Sequence, residues 1–583
     1  MPAFRHRATA ALALLLFAPA LALAEDTRPA PEAATGTSAK GRTIATRHMA
    51  VAADPLAAEA ALDILRKGGS AVDAAIAAQL VLGLVEPQSS GLGGGAFIVH
   101  WDAAASKVET IDARETAPAA ARPDRFIRDG RKMSFAEAVA SGLSVGAPGV
   151  VRGLELAHKK HGKLPWATLF VPAIKMAEDG FPVSRRLNLL LRLQGAESLA
   201  PAARSYFFDG QGAPRPAGFL LRNPEYAATL KAIARDGAAA FYEGPIADAI
   251  VEAVANAPIP GDLTGADLAA YAAKQREPLC VDYRAKRVCG MGAPSSGMLT
   301  IGQTLKLIEP LPGVSGAANV LAAPALHAIT EAEKLAFADR NKYIADPEFV
   351  ATPDGLLDEN YLASRRALIN PLRAMAKPAA GLPPGLAKRS FGMDGTHEVA
   401  GTSHLSIVDD AGNAVAMTTT IENGFGSRLW AAGFLLNNQL TDFSFDAVDK
   451  DGQPVANRVE AGKRPRSSMA PTLVFDAGGK LEFVTGSPGG SRIIWYVAKT
   501  LIAMIDWGMD AQAAAALVNF GSDGGGFEIE PDMVAIWPAL ALKGYGHDIR
   551  VSAMTSGVHT ILRRDGKLYG GVDPRREGAA LGD

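Results

Sequence analysis

The sequence predicts a layered α/β sandwich, and three observations carry that reading. Helical periodicity dominates as far as about residue 400, and strand alternation takes over beyond it. Two hairpins, one on each side of that switch, present apolar faces that each need a covering layer. Hydrophobic residues are 48% of the 583 and charged residues 21%, enough apolar side chain to bury a large core and too ordinary a balance for disorder.

The N-terminus stands apart from the fold. Arg5, His6 and Arg7 precede an apolar run from Ala8 to Ala24 that closes on Ala22-Leu23-Ala24. A basic start, an apolar middle and a small-x-small end predict a secretory signal peptide over 1–24, cleaved to leave a periplasmic or secreted protein without a membrane span. Residues 25–44, rich in Pro, Ala, Thr and Glu, read as a flexible leader. Pro55 to Lys67 puts Leu56, Ala60, Leu62 and Leu65 at helical spacing. Gly68-Gly69 stops that helix and Ser70 caps a second one running to about Leu84. Strands are expected at Ala96 to Trp101 and Lys107 to Asp112, joined by a short polar turn. Helical patterns follow at 164–180, 225–256 and 324–345. After 400 come strands at Ser403 to Asp409, Asn413 to Thr420, Gly433 to Asn438, Thr472 to Asp476 and Leu481 to Thr485, with helices near Ile493 to Ile505 and Asp510 to Val518.

Charge and cysteine usage narrow the function. Lys+Arg is 59 against Asp+Glu 61, so no basic surface is set aside for nucleic acid, and a small-molecule ligand fits better. The 60 glycines show no Gly-X-Y period. Cys280 and Cys289 lie symmetrically about Arg284-Ala285, where a two-residue turn would set them opposite one another. A cross-strand disulfide and a pair of buried thiols both fit that placement. No metal site is expected, since paired Cys ligands and H-E-x-x-H are both lacking, and His158-Lys159-Lys160-His161 reads as a solvated helix face.

Two motifs match by letter and fail by context. Gly91 to Ala96 spells a dinucleotide fingerprint, but a helix precedes it and a strand follows, the reverse of what the fingerprint needs. Gly142-Leu143-Ser144-Val145-Gly146 spells a nucleophile elbow, yet Pro148 and Gly149 follow where a helix should begin.

The most informative segment is 401–427. Asp410-Ala411-Gly412 has the form of a three-residue hairpin loop with glycine at its left-handed position. Pairing Asp409 with Asn413 then sets Thr402 opposite Thr420 at the open end. Gly401 leaves the carbonyl before Thr402 open to attack by the Thr402 hydroxyl. An N→O acyl shift followed by hydrolysis would expose Thr402 as a new N-terminus, whose α-amine, with a pKa of about 7.7 to 8.0, could serve as base for its own hydroxyl. Threonine is a poor nucleophile without such a neighbour, and no His/Asp partner is evident.

These residues, together with Phe434 to Gln439, Lys463-Arg464-Pro465-Arg466-Ser467-Ser468-Met469 and Gly486-Ser487-Pro488-Gly489-Gly490-Ser491, resemble the γ-glutamyltransferase family of the N-terminal nucleophile hydrolase superfamily. Gly69 to Ala75, Gly91 to Ala96, Asp112-Ala113-Arg114-Glu115 and Pro294-Ser295-Ser296-Gly297 match in the same order. The resemblance implies a four-layer αββα sandwich and self-cleavage between Gly401 and Thr402 into subunits 45–401 (after the leader) and 402–583, which stay together as one intertwined domain. It implies Thr402 as nucleophile with Thr420 hydrogen-bonded to it, and Gly489 and Gly490 as backbone donors to the oxyanion. It places Arg114, Ser467 and Ser468 at the α-carboxylate of a γ-glutamyl group, and Glu422, Gln439 and Asp442 around its α-ammonium. The signs of charge suit such a substrate, glutathione included.

No cofactor is implied. Read without the family, Arg114 would be a surface ion pair with Glu115 or Asp112, Glu422 and Asp442 solvated loop carboxylates, Ser467 and Ser468 a cap or turn, and Gly489-Gly490 a tight turn. Several relatives carry Asn where Glu422 stands. The short stretch from Asp442 to Ser467, with Asp449-Lys450-Asp451-Gly452, gives no sign of an aromatic lid. The expected activity is γ-glutamyl transfer and hydrolysis. The alternatives are a cephalosporin (glutaryl) acylase on the same scaffold and, from another class, an uncleaved solute-binding protein.

Overall fold

The computed structural model describes residues 38–386, 391–396, 398 and 401–583. The expected signal peptide and most of the leader lie outside them. Among the described residues no helix is long and apolar enough to cross a membrane.

Two seven-stranded antiparallel sheets form the centre. One runs in the order Ala579–Gly582, Met49–Ala52, Thr402–Val408, Ala414–Thr420, Gly95–Asp102, Lys107–Ala113 and Lys274–Arg276. The other runs Thr43–Ala45, Lys567–Val572, His559–Arg564, Leu481–Gly486, Thr472–Phe475, Lys286–Met291 and Pro278–Tyr283. Met49, Val51, Val99, Leu473, Val484 and Ile561 pack between them. Pro55–Arg66, Ala71–Val85 and Val150–His161 cover the first sheet, with Trp166–Asp179 and Pro224–Asp236 packed outside them, and Gly297–Ile308, Ile493–Ile505 and Ala511–Ala516 cover the second, with Ala323–Tyr343 packed on Gly297–Ile308. This is the αββα sandwich of the N-terminal nucleophile hydrolases. It follows from the sequence because each sheet is apolar on both faces and must be covered on both.

Local chemistry sets most boundaries. Ser70 accepts from Asp73 N while the Asp73 carboxylate accepts from Ser70 N, a capping box that starts the buried helix Ala71–Val85. Arg284 and Ala285 have φ of 49° and 58°, the two-residue turn that twists with its strands, and Cys280 and Cys289 face each other across it and are disulfide-bonded.

Three expectations need correction. The helical stretch 225–256 is three helices, Pro224–Asp236, Ala239–Tyr242 and Pro245–Ala255, broken at Gly237 and Gly244, both with positive φ. The strand expected from Gly433 to Asn438 shrinks to Phe434–Leu435, because the chain beyond it turns into loops tied by the Asn437 side chain to Gly93 O and Gly146 O. The His158–His161 face is not simply solvated. Its lysines are exposed, but His161 stacks on His100 at 3.9 Å and bonds Glu109 at 2.6 Å, and His158 bonds Leu164 O at 2.9 Å. The sequence-distant strands that carry His100 and Glu109 cover it.

That ring pair and a second group bring His and Glu atoms within metal-ligand reach, as His100, Glu109 and His161, and as His327, Glu331 and His547. In both, lysines already hold the carboxylate: Lys107 and Lys160 on Glu109, and Lys334 on Glu331.

Candidate active site

The central hairpin has the register its loop dictates, Thr402 opposite Thr420. Asp409 N donates to Asn413 O at 3.0 Å, Gly412 has φ 83°, and the Asp409 carboxylate accepts from Ala411 N and Asn413 N. At the open end the Thr402 hydroxyl donates to Thr420 Oγ1 at 3.3 Å. Thr420 Oγ1 in turn donates to the Gly401 carbonyl at 2.6 Å and accepts from Glu422 N at 2.8 Å. The single proton and both lone pairs of the Thr420 hydroxyl are thereby used. The relay orients a donor onto the carbonyl that joins Gly401 to Thr402, and leaves the lone pairs of Thr402 Oγ1 to attack it. Glu422 reaches its place with φ 78°, a left-handed conformation rare for a side chain of this kind.

Close backbone approach explains two glycines here. A Cβ on Gly401 would stand 2.3 Å from Glu422 O, and one on Gly94 would stand 2.0 Å from Thr420 O. The run Gly91 to Ala96 therefore lets a loop press against the end of the Thr420 strand. His404, two residues along the same strand, does not supply a base for Thr402. Its ring nitrogens meet Thr418 Oγ1 at 2.9 Å and Ser406 Oγ at 3.1 Å, and burial holds its pKa well below the ordinary value.

A cavity of about 10 Å³ is lined by Arg114, Glu398, Thr402, Thr420, Glu422, Gln439, Asp442, Ser467, Ser468 and Gly490. That is about the least room that one water needs. The expected residues other than Gly489 thus converge on one point from segments hundreds of positions apart. Gly489 adjoins it with φ 144°, its Cβ direction blocked by Tyr496, and Gly490 has φ 58° at the turn into Ile493–Ile505. The eight side chains among the expected residues are all at most 3% exposed, so the surface readings of Arg114, Glu422 and Asp442 do not hold.

Arg114 Nη2 donates to Asp442 Oδ2 at 2.5 Å and to Arg466 O at 2.7 Å, and its Nε donates to Pro465 O at 3.1 Å. Gln439 Nε2 donates to the same Asp442 oxygen at 2.7 Å. Burial pushes the Asp442 carboxyl up to about 7 against the pull of Arg114, and its Oδ1 lacks a hydrogen bond. Asn438 Nδ2 donates to the Glu422 carboxylate. Behind Arg114, Glu115 is wholly buried with neither carboxyl oxygen hydrogen-bonded, and burial pushes it up to about 8.

The motif Pro294 to Gly297 braces this wall: Ser467 N donates to Pro294 O at 3.1 Å, and Ser296 N and Oγ donate to Ser467 O at 2.7 and 2.8 Å. Sequence reasoning missed three charged groups here: Glu398, which lines the cavity, and Arg340 and Arg466, which donate to its carboxylate. Arg466 carries a signal in hindsight, as a charge between Pro465 and Ser467 in an otherwise inward-facing segment. So does the helix Ala323–Tyr343, which spreads charged residues around its whole circumference yet is almost entirely buried.

The Gamma-glutamyltranspeptidase family matches residues 57–583 of this sequence. The chain belongs to the γ-glutamyltranspeptidase family. Two relatives named glutathione hydrolase proenzyme are each 36% identical to it: that of Bacillus subtilis (strain 168), over 92% of this chain and 91% of its own length, and that of Escherichia coli (strain K12), over 91% of each. Among solved structures, the cephalosporin acylase from Bacillus halodurans superposes with a TM-score of 0.81 at 26% identity, covering 95% of this chain and 99% of its own. As a γ-glutamyltranspeptidase family member the chain is an enzyme of the hydrolase and transferase type, and the N-terminal nucleophile fold is shared with that acylase.

Proposed function

We propose that this protein is an exported γ-glutamyltransferase and glutathione hydrolase that matures by cutting itself at Gly401–Thr402. The observation that carries the reading is the hydroxyl relay from Thr402 through Thr420 to the Gly401 carbonyl. Thr402 Oγ1 attacks the Gly401 carbonyl carbon, the C–N bond breaks, and an ester links Gly401 to Thr402 Oγ1. Water hydrolyses that ester, leaving a Gly401 carboxylate and a free Thr402 α-amine. Signal removal after Ala24 and this cut give a large subunit, with its leader 25–44 and body 45–401, and a small subunit 402–583. Strands from both share one sheet, Thr402–Val408 lying between Met49–Ala52 and Ala414–Thr420, which favours a heterodimer that stays together.

In the mature site the α-amine takes the Thr402 hydroxyl proton as Oγ1 attacks a γ-glutamyl carbonyl. Gly489 and Gly490 N–H groups receive the oxyanion, the amine leaves, and water or an acceptor amino acid or peptide resolves the γ-glutamyl ester. Arg114, Ser467 and Ser468 face the substrate's α-carboxylate, and Glu422, Gln439 and Asp442 its α-ammonium. No cofactor takes part.

A denaturing gel tests the core of this. Wild type is expected as two bands and Thr402→Ala as one inactive band, whereas a single active wild-type band would overturn the reading. The whole-length likeness to a cephalosporin acylase supports a second reading, glutaryl transfer. Two carboxylates at the ammonium end, Glu422 and Asp442, favour γ-glutamyl, and preference for a glutaryl over a γ-glutamyl anilide would reverse that choice.

A further inference from the structure

A cavity of about 760 Å³ lies beside the short hairpin of Trp430–Ala431 and Phe434–Leu435, and it shares no lining residue with the small cavity at Thr402. Its walls come from Ala196–Ser198, Pro201–Phe207, the helix Pro245–Ala255 and the segment 427–432. Leu199, Pro201, Ala253, Leu429 and Trp430 make it mainly apolar, and its volume suits a small organic molecule. The Trp430 ring is fixed as one wall. Its Nε1 donates to Glu225 Oε2 at 2.9 Å, and its ring centre lies 5.1 Å from that of Tyr206 and 5.9 Å from that of Phe207.

Arg428 is the charged group in this cavity without a match. It is half-buried, and among the described residues its guanidinium makes no hydrogen bond or ion pair. Its Nε is shut away from solvent with no acceptor, while the two Nη nitrogens stay accessible. Burial lowers the Arg428 pKa and no carboxylate works against that loss, although a guanidinium stays charged throughout. Three glutamates line the same cavity and are placed otherwise: Glu225 is taken by Trp430, Glu197 lies 3.1 Å from Arg204 Nη1, and Glu252 is exposed.

The backbone holds this arginine where it is. Arg428 has φ 68°, a left-handed conformation that residues other than glycine rarely take. Its N–H donates to Phe425 O at 3.0 Å and its carbonyl accepts from Ala200 N at 3.1 Å. Such a conformation persists where the surroundings over-determine it. A planar fork with two open nitrogens matches the two oxygens of a carboxylate, and one uncompensated cation matches one negative charge.

We propose that this cavity is a second ligand site, taking small monocarboxylates with a flat apolar body, the carboxylate on Arg428 and the body against Trp430 and Leu429. The assignment is independent of the γ-glutamyl reading, because no residue of the Thr402 site takes part in it.

Calorimetric titration of the uncut Thr402→Ala chain tests the site, since the cavity beside position 402 has room for about one water and admits no such ligand. Indole-3-propionate should bind roughly tenfold more tightly than its uncharged amide, or better, the margin of one charge-assisted bond. Arg428→Gln in the same background should bring the two within about twofold, and Arg428→Lys should keep part of the preference. Ala253→Phe, which fills the cavity, should abolish binding of both. Equal binding of acid and amide, no binding of the acid up to about 10 mM, a preference that survives Arg428→Gln, or binding that survives Ala253→Phe would each overturn the site. If Arg428→Gln shows no thermal transition and so does not fold, the comparison of acid with amide and the Ala253→Phe variant still decide.

Discussion

Replacing Thr420 by valine exchanges its hydroxyl for a methyl group of similar size, and the structure sets what is lost. Three hydrogen bonds meet at that oxygen: to Gly401 O at 2.6 Å, from Glu422 N at 2.8 Å and from Thr402 Oγ1 at 3.3 Å. The first is aimed at the carbonyl that would gain negative charge in the proposed attack by Thr402. Removing one such preorganised donor typically costs about 3 to 4 kcal/mol in the transition state, roughly a hundred- to a thousandfold in rate. Conversion of Thr420→Val precursor into two chains, followed by intact-mass spectrometry over time, should slow by about that factor, with Thr420→Ser restoring most of the rate. The Glu422 N–H and Gly401 carbonyl are left buried and unpaired, so a stability loss of about 1 to 3 kcal/mol should accompany it in chemical denaturation. Maturation of Thr420→Val at the wild-type rate in a folded protein would refute the relay.

Two further outcomes follow from geometry. Gly401→Ala should block or strongly slow maturation, because its Cβ would sit 2.3 Å from Glu422 O and push the carbonyl off the Thr420 hydroxyl; normal two-band material on a gel would contradict this. Glu115→Gln should change the pH dependence of stability. Burial raises the Glu115 pKa from 4.5 to about 8, so between those values the unfolded chain has lost a proton that the folded one keeps, and wild-type stability falls as pH rises through that window. The Tm of the variant relative to wild type should therefore climb from about pH 5 to pH 8, and a difference that stays flat across that range would show that Glu115 carries no raised pKa.

The parts of the fold legible in the sequence were those written in local rules. The capping box at Ser70, the turn at Arg284-Ala285 and the loop Asp410-Ala411-Gly412 each act over a few residues, so their neighbours could be placed without the rest of the chain. Gly433 to Asn438 misled because its short apolar run is local while the ties that bend it, from Asn437 to Gly93 and Gly146, are not. The His158–His161 helix misled for the same reason, since Glu109 and His100 arrive from a strand pair that precedes it.

The sequence by itself determined that Thr402 faces Thr420, because strand pairing has a period of two and the loop pins its origin. Glycine before Thr402 and the order of the family motifs were equally there to be read. Only the tertiary structure decided that Arg114 meets Asp442, that Glu115 is buried without a hydrogen bond, and that Arg340 and Arg466 close around Glu398. These are charges brought together from segments far apart in the chain. Their energies depend on burial and distance, and neither quantity exists until the two sheets and their helices have packed.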